Sequence, residues 1–578
     1  MAHLFFLSAA VRVMGKSGIQ AFLDMLADQG VKYLFGNPGT TELPLSDAMV
    51  ADQRIKYILG LQEVPVVAMA DGYAQASRSL GVVNLHISCG LGNAMGMLYN
   101  AYRAGTPLLV TAGQQDRRLM FEEPILWSDM VRVVEPWMKW AAEVHRVEDL
   151  PTAIRRAGQA ALTPPTGPVF LSLPMDLQSE IAELDLTKAK PLDVRVRPPL
   201  GALRQAAQVL GAARNPAILV GSRTTEADAV AELVAVAERI GAPVMSESGT
   251  THGRLGFPAD HPLSAPGMPI WSPEVRARLA DHDVILVVGM DLLRLYVYFE
   301  PSRAIPEHIK IVHIDQDPWQ IGKNYPVEVG LMGDLKVGLT ELDEILRGGM
   351  TAAQTEAAKK RAAAIADTHS RARAALVEEA KAQRSQRPLT PLTLMSSVAR
   401  VIPPDVAVVE EAVTTTGTYL ERFGALKNTT GYFGHRGWAL GWGLGCAMGV
   451  QLAWPERPVL ALLGEGASMY GIQGLWTAAR YKLPVTFVIC NNAQYQILKV
   501  GAQQIGLPAA RAGHFIGMDL TEPEIDFVNL AQALGVKAQR ITDPDELEAR
   551  LKESLAGDEP RLFDVPVQRP SPPRLNYG

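Results

Sequence analysis

Apolar residues fall in short runs of four to six, each closed by a glycine or a polar turn. Between the runs lie stretches in which apolar positions recur three and four residues apart. The runs at 31–35, 57–61, 82–86 and 107–112 read as buried strands. The stretches at 17–30, 42–49, 64–77 and 93–103 read as helices, the first with Ile19, Phe22, Leu23, Leu26 and Ala27 on one face. Residues 88–93, SCGLGN, read as a glycine-rich loop. The same rhythm returns at 217–221, 227–240, 243–245, 284–289 and 310–315, and again at 406–410, 459–463 and 485–490. Strands alternating with helices over short connections predict an α/β protein of doubly wound, parallel-sheet domains.

Two segments echo each other. GNAMGMLYNAYRAGTPLLVTAGQQ and GIQGLWTAARYKLPVTFVICNNAQ each hold a small-residue helix, a basic residue, a proline, a buried strand and a polar strand end. Residues 14–185 and 390–570 are therefore expected to be two copies of one fold. Between them, residues 351–386 contain no Gly or Pro and are rich in Ala, Lys, Glu and Arg, as in an exposed linking helix. The expected boundaries are 14–188, a central domain at 195–349, a helical linker at 350–387 and a last domain at 388–570. The turn VGSRTTE in the central domain lacks the glycine spacing of a dinucleotide fingerprint, so that domain is expected to be structural and free of cofactor. The segment GYFGHRGWALGWGLGCAMG at 431–449 is rich in glycine and aromatics, which suits close approach of backbone to a ligand.

Composition narrows the function. The chain has 578 residues, 48% hydrophobic and 20% charged, enough for several cores and unlike a disordered chain. A net charge of −6 gives no electrostatic basis for binding nucleic acid. No apolar run reaches membrane-spanning length. Cys89, Cys446 and Cys490 are far apart in apolar or glycine-rich settings and are expected to be buried free thiols. The opening MAHLFFLSAAVRVMG has a short apolar part with no Lys or Arg before it, so it reads as an extension ahead of a start at Met14 rather than a signal peptide. A cytoplasmic protein is the expectation.

The strongest chemistry lies at 459–498. The strand at 459–463 runs into Gly464-Glu465-Gly466, and the strand at 485–490 ends in Asn491-Asn492. Parallel strands bring both ends to one sheet edge, where open α/β sheets bind ligands. A carboxylate and an amide oxygen there suit a hard cation such as Mg2+, which also takes diphosphate oxygens. The glycines let backbone N–H groups approach those phosphates. GEG, 24 residues, then NN resembles the diphosphate-binding motif of thiamine diphosphate (ThDP) enzymes, with Glu465 where the family usually has Asp.

From about residue 16 to 568 the chain resembles the ThDP-dependent decarboxylase and acetohydroxyacid synthase superfamily. FGNPGTTELP, LQEVPVVAMADGYAQAS, NLHISCGLGNAMG, TAGQQ and GVQLAWPER are closest to its benzoylformate decarboxylase branch. The resemblance implies pyrimidine-binding, central and diphosphate-binding domains in that order. It also implies an active site shared between chains in a homodimer, commonly assembled into a tetramer. Glu63 matches the glutamate that acts on the cofactor pyrimidine, and His86 a histidine that handles protons on the substrate. Thr40 matches a serine that contacts the substrate carboxylate, and Tyr296 falls where that branch has a second histidine. Thr414, Thr415, Gly464, Gly466, Ala467, Ser468 and Tyr495 fall at the diphosphate. Trp438 would offer a backbone carbonyl to the cofactor, and Leu440 would prop its bent form. Glu465, Asn492 and the backbone of Gln494 would hold Mg2+. Val500 and Gly501 replace aromatic bulk around the substrate ring. His435-Arg436 is an added pair, read equally as an anion site or a solvated turn. The implied activity is non-oxidative decarboxylation of a small-molecule 2-oxo acid to an aldehyde. The alternatives are a carboligase of acetohydroxyacid synthase type, another carbon–carbon lyase, or a silent homologue with a binding role.

Overall fold

The structure is a computed structural model and describes residues 12–188, 190, 192–247 and 253–569. It holds three six-stranded sheets, parallel throughout, each flanked by helices. Numbered along the chain, the strands of the first sheet are Tyr33–Gly36, Lys56–Leu59, Gly81–Leu85, Leu108–Gln114, Trp140–Glu143 and Val169–Pro174. They lie in the order 2-1-3-4-6-5. The last sheet comprises Ala407–Glu411, Tyr432–Gly434, Val459–Gly464, Val485–Asn491, Lys537–Arg540 and Arg561–Pro566 in the same order, as the internal echo requires. The central sheet differs: Pro216–Val220, Val244–Ser246, Ser264–Ala265, Val284–Val288, Lys310–Asp315 and Val329–Met332 lie in the order 3-2-1-4-5-6. Helices cover both faces, which is why strands such as Val284–Val288 are apolar at every position and fully buried. Burying each such Val, Leu or Ile stabilises the fold by about 1.5–3 kcal/mol.

Packing divides the chain into two units, one running through Val194 with Met448–Ala453 and Gly471–Thr477, the other holding the remainder. In the first, the segment expected to precede a start at Met14 forms part of a strand, Arg12–Ser17, paired antiparallel with Ile181–Asp185. The rest of that extension lies outside the described residues. Residues 88–93 are not a loop but the first turns of helix Ile87–Ala104. Gly90 serves packing, since a Cβ there would stand 3.1 Å from the Glu63 carboxylate and 3.4 Å from His86, whereas one on Gly92 would meet nothing within 4 Å. Cys446 and Cys490 are buried free thiols, whereas Cys89 is exposed in that helix's first turn.

In the second unit, the helix Ala352–Gln383 begins with a Thr351–Gln354 capping box and is mostly exposed. It is docked rather than free: Arg361 donates to the Ile240 carbonyl at 2.6 Å and Arg373 to that of Ala259 at 3.0 Å. The strand order of the central sheet reverses between the parallel neighbours Pro216–Val220 and Val284–Val288, the position where this strand order binds nucleotides. Here it is filled by Arg223, which bonds Asp315 at 2.8 and 2.9 Å and Asp291 at 2.9 Å. Arg436, from the last domain, reaches the other Asp291 oxygen at 3.3 Å and Glu247 at 3.2 Å. Burial works against ionising Asp315, yet the Arg223 charge holds its carboxyl below the usual range.

Removing one member of such a buried network strands the others. Arg223→Met is expected to destabilise the chain by about 3–5 kcal/mol, read by urea denaturation followed through tryptophan fluorescence. A change under about 1 kcal/mol would show that the network holds nothing together.

Candidate active site

In the first unit the candidate groups gather at the carboxyl ends of the first three strands. Glu63 opens helix Glu63–Ser77, and the preceding Gln62 side chain caps it by accepting the Val64 N–H at 2.5 Å. The Glu63 carboxylate is 6% exposed and takes a hydrogen bond from the Asn93 amide at 3.1 Å. His86 stands at the N-cap of helix Ile87–Ala104, with Ile87 forced to a φ of +32° just beyond it. Its Nδ1 lies 2.8 Å from Glu42 Oε2 and 3.4 Å from the Thr41 hydroxyl.

Glu42 is itself buried. It also accepts the Thr41 O–H at 2.8 Å, the Gly113 N–H at 2.9 Å and the Gly39 N–H at 3.1 Å. A carboxylate on Nδ1 fixes the proton there and leaves Nε2 as the free nitrogen. Gly39 is required by the imidazole, because a Cβ at that position would lie 2.0 Å from Nδ1. Thr40 is exposed in the turn Thr40–Glu42, and its neighbour Thr41 is the one that touches His86. Sequence reasoning missed Glu42, Thr41 and Gly39; the only signal was an acid and a hydroxyl within the quoted FGNPGTTELP.

In the second unit, Val459–Gly464 and Val485–Asn491 pair in parallel with Gly464 opposite Cys490. The short helix Glu465–Ser468 follows the first strand and carries Gly466 and Ala467. Glu465 is buried, and its Oε1 accepts the Gln494 N–H at 2.9 Å; the same N–H lies 3.2 Å from Asn492 Oδ1. Ala493, at a φ of +51°, makes the turn that brings Gln494 back. The expected trio of Glu465, Asn492 and Gln494 is thus brought together. Burial pushes the Glu465 carboxyl above its usual range. Lys499 was not foreseen: it bonds the Gln494 side-chain oxygen at 2.8 Å and Asp519 at 2.6 Å, which holds that amide aside.

A Cβ on Gly466 would strike the Tyr495 ring at 2.5 Å, so the glycine lets Tyr495 close over the turn. Ser468 donates to the Gly464 carbonyl at 2.8 Å. Thr414 is half-buried and Thr415 buried in the short helix Val413–Thr416. A small-residue turn, a buried carboxylate and two amide-type oxygens fit a diphosphate held through a hard cation. No cluster of three His, Cys, Asp or Glu that could hold a metal ion stands among the described residues.

From sequence Glu410 ends a strand and Glu411 opens a polar loop; the structure places both at the end of strand Ala407–Glu411, and both are buried. Glu411 accepts the N–H groups of Gly441, Trp442 and Gly443 at 2.8–3.1 Å, and burial raises it to about 7. Glu410, bonded to Thr416 and Tyr432, is raised by burial to about 8.

Tyr296, Trp438 and Leu440 line a cavity of about 640 Å³ together with Met268, Trp271 and Ile497. Tyr296 packs 5.2 Å from Trp438 and 5.7 Å from Trp271, ring centre to ring centre. Trp438 adopts a φ of +66°, a strained conformation at the position expected to face the cofactor. Val500 and Gly501 sit in helix Gln496–Gln504, and Ile497 is the residue of that helix lining the cavity. His435 and Arg436 are neither an anion site nor a solvated turn. Each is 2% exposed; Arg436 is paired as above, and burial with the Arg294 charge lowers His435 to about 4, so the imidazole is neutral at pH 7.

Comparison with known proteins gives the family. Residues 16–123 match the N-terminal TPP binding domain of thiamine pyrophosphate enzymes, 203–342 the central domain and 412–565 the C-terminal TPP binding domain. The chain belongs to the thiamine pyrophosphate enzyme family, and it has the family's cofactor-binding domains. It is 33% identical to the benzoylformate decarboxylase of Pseudomonas aeruginosa over 96% of this chain and 99% of that protein. It is 29% identical to the acetolactate synthase isozyme 3 large subunit of Escherichia coli, over 93% of this chain and 92% of that one. Among solved structures, benzoylformate decarboxylase from Polynucleobacter necessarius superposes with a TM-score of 0.85 at 29% identity, covering 96% of this chain and all of that one. The 4-hydroxybenzoylformate decarboxylase of Rhodococcus jostii gives 0.83 at 29% over the same shares. No helix among the described residues is long and apolar enough to cross a membrane.

Two outcomes test this geometry. Gly39→Ala drives a methyl into the His86 ring and is expected to lower kcat/KM by about 100-fold with the melting temperature little changed. For Glu410, a carboxyl that keeps its proton to about pH 8 when folded, but loses it near 4.5 when unfolded, makes the folded chain bind more protons between those values. Stability from this group therefore falls as pH rises through that window. Glu410→Gln should melt progressively higher than the parent chain from pH 5.5 to 8.5; parallel curves would refute the buried neutral acid.

Proposed function

We propose that this chain is a ThDP- and Mg2+-dependent decarboxylase of 2-oxo acids with an apolar, aryl-sized acyl group, releasing the aldehyde. The observation that carries the reading is the Glu42–His86 pair: a histidine oriented by a buried carboxylate at Nδ1, with Nε2 left to exchange a proton with substrate. The aromatic lining of Trp271, Tyr296 and Trp438 in a cavity of about 640 Å³ supports a ring-sized acyl group. The similarity to benzoylformate and 4-hydroxybenzoylformate decarboxylases agrees with it.

The residues divide the work. Glu465, Asn492 and the Gln494 carbonyl would hold Mg2+, with Gly464, Gly466, Ala467, Ser468, Thr414, Thr415 and Tyr495 around the diphosphate. Thiamine diphosphate supplies, when bound, an electron sink that lets CO2 leave from the carbon beside a carbonyl. Glu63, positioned by Asn93 and the helix start, would present its buried carboxylate to the cofactor pyrimidine. Leu440 and the Trp438 carbonyl shape the cofactor side of the cavity. His86 moves a proton at Nε2, Thr40 faces the substrate carboxylate, and the Tyr296 hydroxyl offers a second donor.

Glu63 and His86 lie in one unit and the diphosphate residues in the other. We read the working site as shared between two chains of a homodimer, paired further into a tetramer. The fully exposed Phe121 and largely exposed Ile125 of the first unit suit a subunit contact. Near-full-length similarity to acetolactate synthases supports a second reading, carboligation, in which the product is an acyloin.

CO2 release from benzoylformate, pyruvate and branched 2-oxo acids decides between these. With ThDP and Mg2+, benzoylformate is expected to be the best of the three, and Glu63→Gln to lower kcat by about 100-fold or more. Acyloin in place of aldehyde would favour the second reading; no CO2 from any acid would sink both.

A further inference from the structure

His435 lines the cavity and is given no work by the reading above. Its imidazole lines the cavity beside Tyr296 and Trp438, it is 2% exposed, and neither ring nitrogen has a hydrogen-bond partner among the described residues. Its neighbour Trp442 meets it only face to ring, 5.9 Å between centres. Burying a histidine with both nitrogens unpaired is unfavourable, and native structures rarely leave such a group without a partner to come. Met268, Ile270, Trp271, Leu440 and Ile497 of the same lining offer it no hydrogen bond, while the charge of Arg294 acts on the ring.

The chemistry of the partner follows from the state of the ring. At neutral pH the imidazole is uncharged, so it presents one N–H donor and one lone-pair acceptor. A carboxylate could use only the donor and would leave the acceptor nitrogen unpaired. Arg278 and Arg422 line the cavity beside Glu274 and are cations that can take the acidic end of a ligand. A hydroxyl group can donate to one ring nitrogen or accept from the other. We propose that His435 is a specificity-determining residue that hydrogen-bonds a hydroxyl on the acyl portion of the substrate, making this a site for hydroxylated 2-oxo acids. The proposal rests on the reading of this cavity as the acyl pocket. A site built to bond a hydroxyl discriminates against the analogue without it, because the buried polar group is then left unpaired.

The test separates binding from turnover. The probes are 4-hydroxymandelate and mandelate, which carry the ring and carboxylate but no ketone to react. Their affinities are measured by calorimetry on the full chain loaded with ThDP and Mg2+. The parent is expected to bind the hydroxylated acid about tenfold more tightly. His435→Phe should bring the two affinities level with little change for mandelate, and His435→Gln, which keeps a donor and an acceptor, should restore part of the preference. Equal affinities in the parent overturn the proposal whether or not either variant folds. A preference that survives His435→Phe overturns it as well. Failure to bind either acid overturns the assignment of the cavity and the proposal with it. Failure of the decarboxylase reading looks different: no CO2 release, with the binding preference intact.

Discussion

A parallel strand can be followed by its neighbour only after a crossover, so every strand of a parallel sheet delivers its carboxyl end to the same edge. That constraint organises this chain. Glu63 and His86 leave successive strands of one sheet, and Glu42 follows the strand between them. Glu465 and Asn492 leave neighbouring strands of another. Groups 29 and 71 residues apart in sequence thereby become contacts, and buried carboxylates find backbone N–H partners at the turns. Backbone strain collects at the same edge, with Ile87, Trp438 and Ala493 all at positive φ beside a candidate group.

The fold was legible because its signals are local. Apolar runs bounded by glycines located most strands within a residue or two, and the duplicated segments foretold two sheets with one strand order. The metal-type trio was legible because its spacing follows from that topology. What sequence left hidden is tertiary. Gly90 and Gly92 read as a loop because glycine signals both flexibility and tight packing, and only the approach of Glu63 and His86 to Gly90 tells them apart. Glu42 reads as an ordinary acid at a turn until His86, 44 residues later, is seen to bond it. His435-Arg436 looks solvent-facing in a glycine-rich string. Its burial depends on Glu247 and Asp291, which lie 189 and 145 positions earlier in the chain.

The two halves of the duplicated fold have also diverged in what they do with buried acids. In the first copy the buried Glu42 orients a histidine. In the last copy Glu411 is spent on three backbone N–H groups at the start of a helix, and Glu410 on a threonine and a tyrosine. The same architecture thus uses a carboxylate once to orient a histidine, once to hold the backbone of a glycine-rich turn and once to tie two side-chain hydroxyls together.

The ion-paired joint of the central domain reaches further than its own sheet. Arg223 occupies the crevice that this strand order usually leaves for a nucleotide, and through Asp291 it is tied to Arg436. Arg436 is the residue next to His435. The position of an imidazole in the cavity is therefore set by a lattice of charges whose other members stand in a different domain. Exchanging the central domain for that of a relative would import a foreign partner for Arg436 and shift the cavity floor without altering one lining residue of the last domain. In evolutionary terms, 223, 247, 291 and 436 are expected to travel as a block, and selectivity in this lineage to be inherited through residues that never meet the substrate.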